Sequence, residues 1–324
     1  MDSKMKFVVV GCGNIAQRCA IPAIINSGAS TLACVVDIDE SKRDLVLERY
    51  QVPFETDLKH VLDTYECDAV YISTPNAIHV QIIETIAPYG KQILCEKPLA
   101  SSLEDAERIA ELGEKYNISI FEGYMYQFHE QHKVKNQLIA DGEIGIPQLF
   151  QGWFGFPPLP PNDFRYKKSL CGGCGLDACA YVVHSARHFY NAEPVNVYAV
   201  LSAEEGYEVE THATILLDFG AGRAATLVTG FNNKYKSEQS IWGSKGLLRL
   251  ERAYALPPDF QSKLTIETQN ETMEYTMPSC NHFEEEIRYF VANYNQHSKE
   301  WKREFLAQSK VLATVKSYLI SVHD

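Results

Sequence analysis

The chain has 324 residues, 45% hydrophobic and 22% charged, with 42 acids against 30 lysines and arginines for a net charge of −12. That is material for a large core and more than one ordinary domain, so two domains are expected. The acidic balance speaks against nucleic acid or an anionic membrane surface as a partner, and no apolar run nears the roughly 18 residues needed to cross a bilayer.

The opening MDSKMKFVVVGCGN holds an apolar stretch too short for a signal segment and runs into a glycine turn, so a cytoplasmic location is expected. The nine cysteines, an odd number, sit mostly in apolar surroundings and fit small buried hydrophobes better than a disulfide framework. Up to about residue 123, short β-rich runs alternate with helical ones. KFVVVG (6–11), STLACVVD (30–37), AVYIST (69–74), QILCE (92–96) and ISIFEG (118–123) lack in/out alternation, as strands covered on both faces do. Between them lie helical stretches such as SKRDLVLERY and SSLEDAERIAELGEKY, the second opening with a serine cap and acids in its first turn. This order predicts a doubly wound, parallel α/β domain over residues 1–123.

From residue 124 to 324 the rhythm is different. A helix, EQHKVKNQLIADG, and a strand, PQLFQGWFGF, lead to a proline-rich loop and the glycine turn CGGCG. Then come the helix LDACAYVVHSARHFY, the alternating strands VNVYAVLSA, THATILLDF, AATLVTG and SEQSIWGSKGLLRL, and two closing helices, NHFEEEIRYFVANYN and KREFLAQSKVLATVKSYLI. Such runs predict an α+β domain on a mostly antiparallel open sheet.

The first strand runs into Gly11-Cys12-Gly13-Asn14-Ile15-Ala16, a G-x-G-x-x-A fingerprint in its strand–turn–helix setting. Gly11 permits the tight turn, and Gly13 lets the backbone approach a pyrophosphate. Asn14 and Ile15 open a helix whose N-terminus faces the phosphates. The second strand ends at Asp37, where a carboxylate grips ribose hydroxyls and disfavours a 2′-phosphate. NAD is therefore favoured over NADP, a preference that Lys42 and Arg43 soften. The next strand ends in Thr74-Pro75-Asn76, where Pro75 stops the strand and Asn76 can cap a helix or reach a ligand.

The glycine turn, TPNAIH (74–79), CEKPLA (95–100), GYMYQFH (123–129) and the second glycine turn before LDACAY follow one another as in the Gfo/Idh/MocA oxidoreductases, which this chain resembles over nearly its whole length. The resemblance implies an NAD(P)-dependent enzyme acting on sugars and related cyclic polyols, with a Rossmann domain followed by an α/β domain. It adds His79 and Glu96 to the cofactor side and places Lys97, of the Glu-Lys-Pro turn, beside the nicotinamide in a catalytic role. A lysine pre-positioned at a strand's carboxyl end can polarise a carbonyl or stabilise an alkoxide. In the second domain Asp177, Tyr181 and His184 share one helix face. The resemblance implies Asp-x-x-x-Tyr as the form of the catalytic motif here. Tyr181 then moves the proton, its phenolate form favoured beside Lys97. Asp177 binds a substrate hydroxyl or orients Lys97. His184 is either a donor to substrate or a histidine satisfied in the core.

The stretch FGFPPLPPNDFRYKKSLCGGCGLDACAY is similar to the ketosugar reductases of that family, including those reducing the 3-keto group of nucleotide-linked deoxyhexoses. Arg165, Lys167 and Lys168 make a positive cluster fit for a diphosphate, or a solvated loop. Tyr126 and Tyr166 are further substrate-side candidates, Tyr166 as a stacking face. Relatives often carry an arginine and a proline where Gln127 and Glu130 stand. Cys171, Cys174 and Cys179 invite a zinc reading, but zinc pairs come with a second well-spaced pair and Cys179 points away from Asp177 on the helix, so no metal is expected. The leading expectation is hydride transfer to or from a ring carbon of a sugar, chiefly reduction of a keto-sugar. The alternatives are a dehydrogenase of a free sugar, inositol or dihydrodiol, and an NAD(P)-sensing regulator without turnover. The resemblance also implies a homodimer or homotetramer built on the second domain's sheet.

Overall fold

The structure is a computed structural model that describes residues 4–319. The chain forms two compact units. One takes the chain up to Met125 together with Phe283–Leu306, and the other takes Tyr126–His282 together with the chain from Ala307. The packing thus departs from a single division at residue 123, because a late segment joins the first unit. Aromatic rings hold it there. Phe290 lies 5.8 Å from Phe7, and Trp301 lies 4.7 Å from Phe121.

In the first unit, β1 (Met5–Val10), β2 (Ser30–Val36), β3 (Phe54–Glu55), β4 (Ala69–Ile72), β5 (Gln92–Glu96) and β6 (Ile120–Gly123) form one parallel sheet in the order β3-β2-β1-β4-β5-β6. That order places the switch point between β1 and β4. Every residue of β4 and β6 is buried, which is why these runs show no alternation. The connecting helices are α1 (Ile21–Asn26), α2 (Arg43–Tyr50), α3 (Leu58–Thr64), α4 (His79–Ile86) and α5 (Leu103–Tyr116). The serine cap is present: Ser102 accepts from Asp105 N at 3.0 Å, and α5 ends at Asn117 in the left-handed conformation. Val8, Ile72, Ile93, Leu99 and Ile109 belong to the core beneath them.

In the second unit, α6 (Glu130–Ala140) and α7 (Asp177–Tyr190) accompany eight strands: β7 (Pro147–Gly155), β8 (Asn196–Ser202), β9 (His212–Asp218), β10 (Ala224–Gly230), β11 (Lys236–Gly243), β12 (Gly246–Leu250), β13 (Lys263–Thr268) and β14 (Thr272–Thr276). The sheet order is β14-β13-β12-β11-β7-β10-β9-β8, antiparallel except for β7 beside β10. Helix α7 packs on β7 and β10. The expected alternation holds on β9, where Ala213, Ile215 and Leu217 are buried while Thr214 and Leu216 face outward. Two expectations change. SEQSIWGSKGLLRL is two strands, turning at Ser244-Lys245. The two closing helices are one, α8 (His282–Ser317), of 36 residues. Between them the apolar rhythm pauses, yet no glycine or proline interrupts the chain and the helix runs on. Position 320, where the second closing helix was expected to end, lies outside the described residues.

Candidate active site

The first unit gathers its predicted cofactor residues at the carboxyl ends of β1, β2, β4 and β5. Gly11 has φ +93°, and a β-carbon there would lie 2.5 Å from Ser73 O and 2.9 Å from Thr74 Cγ2. Only glycine lets the two loops close up in this way. Gly13 has open space where a side chain would be, and Asn14 and Ile15 are exposed beside it. The helix that follows starts with a π-helical turn, Ala16–Ala20, closed by Ile21 N on Ala16 O.

Asp37 sits within this loop. Its carboxylate accepts from Cys12 N at 2.6 Å, from Asp39 N at 2.9 Å and from Lys42 Nζ at 2.7 Å. Its charge is thus shared with a lysine that is still 27% exposed. Arg43 instead turns to Glu40 and donates to Phe54 O at 2.7 Å. Past β4, Thr74 Oγ1 and Asn76 Nδ2 are buried without a hydrogen-bond partner. Buried polar atoms are rarely left so, and two of them on the loop that closes against Gly11 fit a polar ligand there. Gly11, Gly13, Thr74 and Asn76 therefore suit a dinucleotide.

Lys97 follows β5 in a turn with a cis Lys97–Pro98 bond, and it is 9% exposed. Two side chains fix that turn. The His79 ring, fully buried, lies between the Thr74 loop and the lysine turn, with Nδ1 3.1 Å from Pro98 O and Nε2 3.0 Å from Thr74 O, and donates to the carbonyl that faces its one N–H. Burial lowers its pKa. Glu122 on β6 accepts from Leu99 N at 2.9 Å. Glu96 accepts from Tyr71 OH at 2.6 Å. His79 thus faces backbone carbonyls with both nitrogens, a positioning arrangement that its place in TPNAIH did not reveal. A cavity of about 500 Å³ between α5 and α8 lies at the starts of β5 and β6, away from Lys97.

In the second unit, α7 is buried from Asp177 to Arg187. Asp177, 3% exposed, opens it and accepts from Arg165 Nε at 2.8 Å. Arg165 Nη1 also lies 3.2 Å from Asp163, and the guanidinium stands 4.6 Å over the Phe164 ring. The two carboxylates hold its pKa above the ordinary arginine value despite burial. The positive charge read in FRYKK is thus already met by acids at Arg165. Tyr166 is likewise engaged: its hydroxyl accepts from Leu159 N at 3.0 Å and donates to Asn232 Oδ1 at 2.8 Å, while its ring packs on Tyr207 and Phe231. These contacts make it a brace for the proline-rich loop.

Tyr181 stands one turn beyond Asp177, 7% exposed, its ring edge-on to Phe154 at 5.0 Å and to Tyr126 at 6.1 Å. Tyr126 OH lies 2.7 Å from His184 Nδ1. Burial pushes the pKa of His184 well below the usual range, so the ring is neutral. The glycine turn before α7 is built around a residue the sequence did not single out. Glu210 accepts from Gly175 N at 3.1 Å, and β-carbons on Gly173 or Gly175 would lie 2.5–2.6 Å from its carboxylate. Burial raises the pKa of Glu210 and of the nearby thiols, Cys179 up to about 12. Among the described residues, no three His, Cys, Asp or Glu side chains are grouped as a metal site, and no helix is long and apolar enough to cross a membrane.

Residues 5–124 match the family model of the Gfo/Idh/MocA oxidoreductases with an NAD-binding Rossmann fold, and residues 133–249 match the Gfo/Idh/MocA C-terminal domain. A dTDP-3,4-didehydro-2,6-dideoxy-alpha-D-glucose 3-reductase of Saccharopolyspora spinosa is 30% identical over 91% of this chain and 87% of its own. A D-xylose 1-dehydrogenase [NADP(+)] of Haloarcula marismortui is 29% identical over 90% of this chain and 83% of its own. Among solved structures, the 3-ketoreductase KijD10 of Actinomadura kijaniata, in complex with NADP and TDP-benzene, superposes with a TM-score of 0.92 at 27% identity, covering 97% of this chain and 98% of that one. The parallel sheet with its glycine loop and the open second sheet are those of this group, and the chain belongs to the Gfo/Idh/MocA family of NAD(P)-binding oxidoreductases.

Proposed function

We propose that the protein reduces a nucleotide-linked keto-hexose, at C3 of the sugar, with Lys97 and Tyr181 as the catalytic pair. The observation that carries the reading is the construction around Lys97. A buried lysine is fixed by His79 and Glu122 in the turn next to the loop that holds the unpartnered Thr74 Oγ1 and Asn76 Nδ2. The 3-ketoreductases among the relatives supply the substrate class.

When bound, the nicotinamide supplies the hydride that adds to the substrate carbon. Gly11, Gly13, Asn14 and Ile15 carry the pyrophosphate, and Thr74 Oγ1 and Asn76 Nδ2 hold the ligand's polar edge. Pro75 ends β4 ahead of Asn76, while His79 and Glu96 steady the turn from behind. The Lys97 ammonium binds the carbonyl oxygen and stabilises the negative charge that develops on it. Tyr181 Oη gives its proton to that oxygen, completing the alcohol. Asp177, anchored by Arg165, accepts from a sugar hydroxyl. Tyr126, held by His184, borders the sugar, with Tyr166 bracing the loop above. Because Lys42 shares the charge of Asp37, both NAD(H) and NADP(H) serve, with Lys42 setting the ratio.

The reading also includes a homo-oligomer. Strand register aligns Tyr198 with Leu216, and Val200 with Thr214 and Val228, on the outward face of the large sheet. Tyr198, Val200, Leu216, Val228 and Trp242 are all exposed there. Light scattering on the purified protein checks that part. The catalytic part is tested by following 340 nm absorbance with NADH and NADPH against dTDP-linked 3-keto-hexoses, D-xylose and inositol. Oxidation of either cofactor by the linked keto-sugar supports it. Turnover of D-xylose alone replaces it with a sugar dehydrogenase, and cofactor binding without turnover replaces it with a sensor.

A further inference from the structure

In the second unit a cavity of about 220 Å³ opens among α6, α7 and β11. Its lining includes Lys133, Lys135, His132 and His188 and no acid at all, in a chain of net charge −12. Lys133 and His188 are exposed at the mouth, whereas Lys135, His132, Ser185 and Gln239 are buried at the floor. Ser185 and His188 lie roughly two to three turns along α7 from Asp177, and the cavity meets the proposed sugar site only at Tyr126, which lines both.

The floor is unbalanced. Lys135 is 4% exposed, and its Nζ donates to Gln239 Oε1 at 3.3 Å and lies 6.0 Å over the Phe189 ring. An ammonium carries three N–H groups, and one neutral amide partner leaves a buried charge poorly compensated. Burial lowers its pKa to about 8, so the charge persists at pH 7. The other end of the same amide, Gln239 Nε2, is fully buried and turned toward the Tyr254 hydroxyl, whose pKa burial raises and the amide lowers in part. His132 is committed elsewhere, with Nε2 2.9 Å from Ala253 O. Lys133 pairs with Glu130 at 3.0 Å outside.

We propose that this cavity binds a small oxyanion, of the phosphate or carboxylate class, held by Lys135 Nζ beside Gln239 and entering past Lys133 and His188. A buried cation with one neutral partner faces a small space whose lining holds no carboxylate. The volume is below the roughly 300–1,000 Å³ of pockets for drug-sized ligands, so the occupant is an ion or small acid and no nucleotide.

The test is isothermal calorimetry of the full chain against inorganic phosphate and, separately, acetate, at constant ionic strength. The wild type binds at least one of them saturably, and the stronger of the two identifies the class. Lys135→Met lowers that affinity by roughly tenfold to a hundredfold, the range for one charge-assisted hydrogen bond. Gln239→Glu places the counter-charge on the protein itself, so it abolishes the binding while its Tm without anion equals or exceeds that of the wild type. If Lys135→Met does not fold, Gln239→Glu alone decides. Absence of saturable binding in the wild type, or equal affinity in the variants, overturns the assignment; equal affinity places the anion elsewhere, on the glycine loop for example.

Discussion

Replacing Glu286 by glutamine should stabilise the first unit, and increasingly so as the pH rises. Glu286 lies on α8, is 1% exposed, and its Oε1 has no hydrogen-bond partner. A β-carbon on Gly123, the register partner of Glu96, would stand 3.5 Å from that oxygen. The groups that face the carboxyl offer it no charge balance. Glu96 on β5 is an acid, and Tyr71 on β4 donates its hydroxyl to Glu96 with a pKa raised by burial and by both acids. Burial first, and Glu96 second, push the pKa of Glu286 well above the carboxylic range. The folded protein therefore holds a proton that the unfolded chain releases near pH 4.3. Stability from this group is fully present below that pH and is lost as the pH climbs toward the folded-state value, by about 1.4 kcal/mol per pH unit. Glutamine cannot titrate. The variant should therefore gain on the wild type as the pH rises from 5.5 to 7.5. Urea unfolding at stepped pH, read from the fluorescence of Trp301 as its ring leaves Phe290 (5.6 Å away), measures the difference. Wild-type and variant stabilities that run parallel from pH 5.5 to 7.5 would refute the reasoning.

Three other substitutions or treatments test separate parts of the structure. Gly11→Ala meets both the positive φ and the Ser73 carbonyl, so it should lower stability by roughly 2–4 kcal/mol in thermal melts and weaken dinucleotide binding at least tenfold by fluorescence titration. Lys42→Ala removes the cation 2.7 Å from Asp37 and should shift the ratio of NADPH to NADH affinity roughly tenfold toward NADH, the worth of one charge-assisted bond. An unchanged ratio would show that Lys42 does not offset Asp37. At pH 7.5 a thiol reagent should label half-buried Cys171 before Cys174 or Cys179, whose pKa values burial raises; the last two should react only on unfolding.

The parallel sheet was legible because its strands are covered on both faces and its glycine loop stands in the one setting that gives the fingerprint meaning. Asp37 was legible by position at the end of β2, but its ion pair with Lys42 depends on where a turn brings a side chain back. The second sheet was read from alternation on β8, β9 and β10. β13 and β14 escaped because their hydrophobic residues are few and the paired face is half exposed. The long α8 escaped because a polar interval looks like a loop until one asks what would stop the helix. Arg165 and Tyr166 were singled out as residues, yet of their partners only Asp163 is local; Asp177 and Asn232 lie 12 and 66 residues away, where no local pattern reaches. Glu122, Glu210 and Glu286 carry no sequence signal, because each acts on backbone or charge supplied by distant parts of the chain.

The central claim is that Lys97 serves the chemical step and leaves dinucleotide binding intact. The direct measurement is kcat for a dTDP-linked 3-keto-hexose beside NADPH affinity, for wild type, Lys97→Ala and Tyr181→Phe. The account predicts NADPH binding within about threefold of wild type in both variants, and a fall in kcat of roughly 100–1,000-fold for Lys97→Ala, the loss seen when one donor to a developing oxyanion is removed. A Lys97→Ala enzyme that binds NADPH and reduces the keto-sugar at the wild-type rate would contradict it.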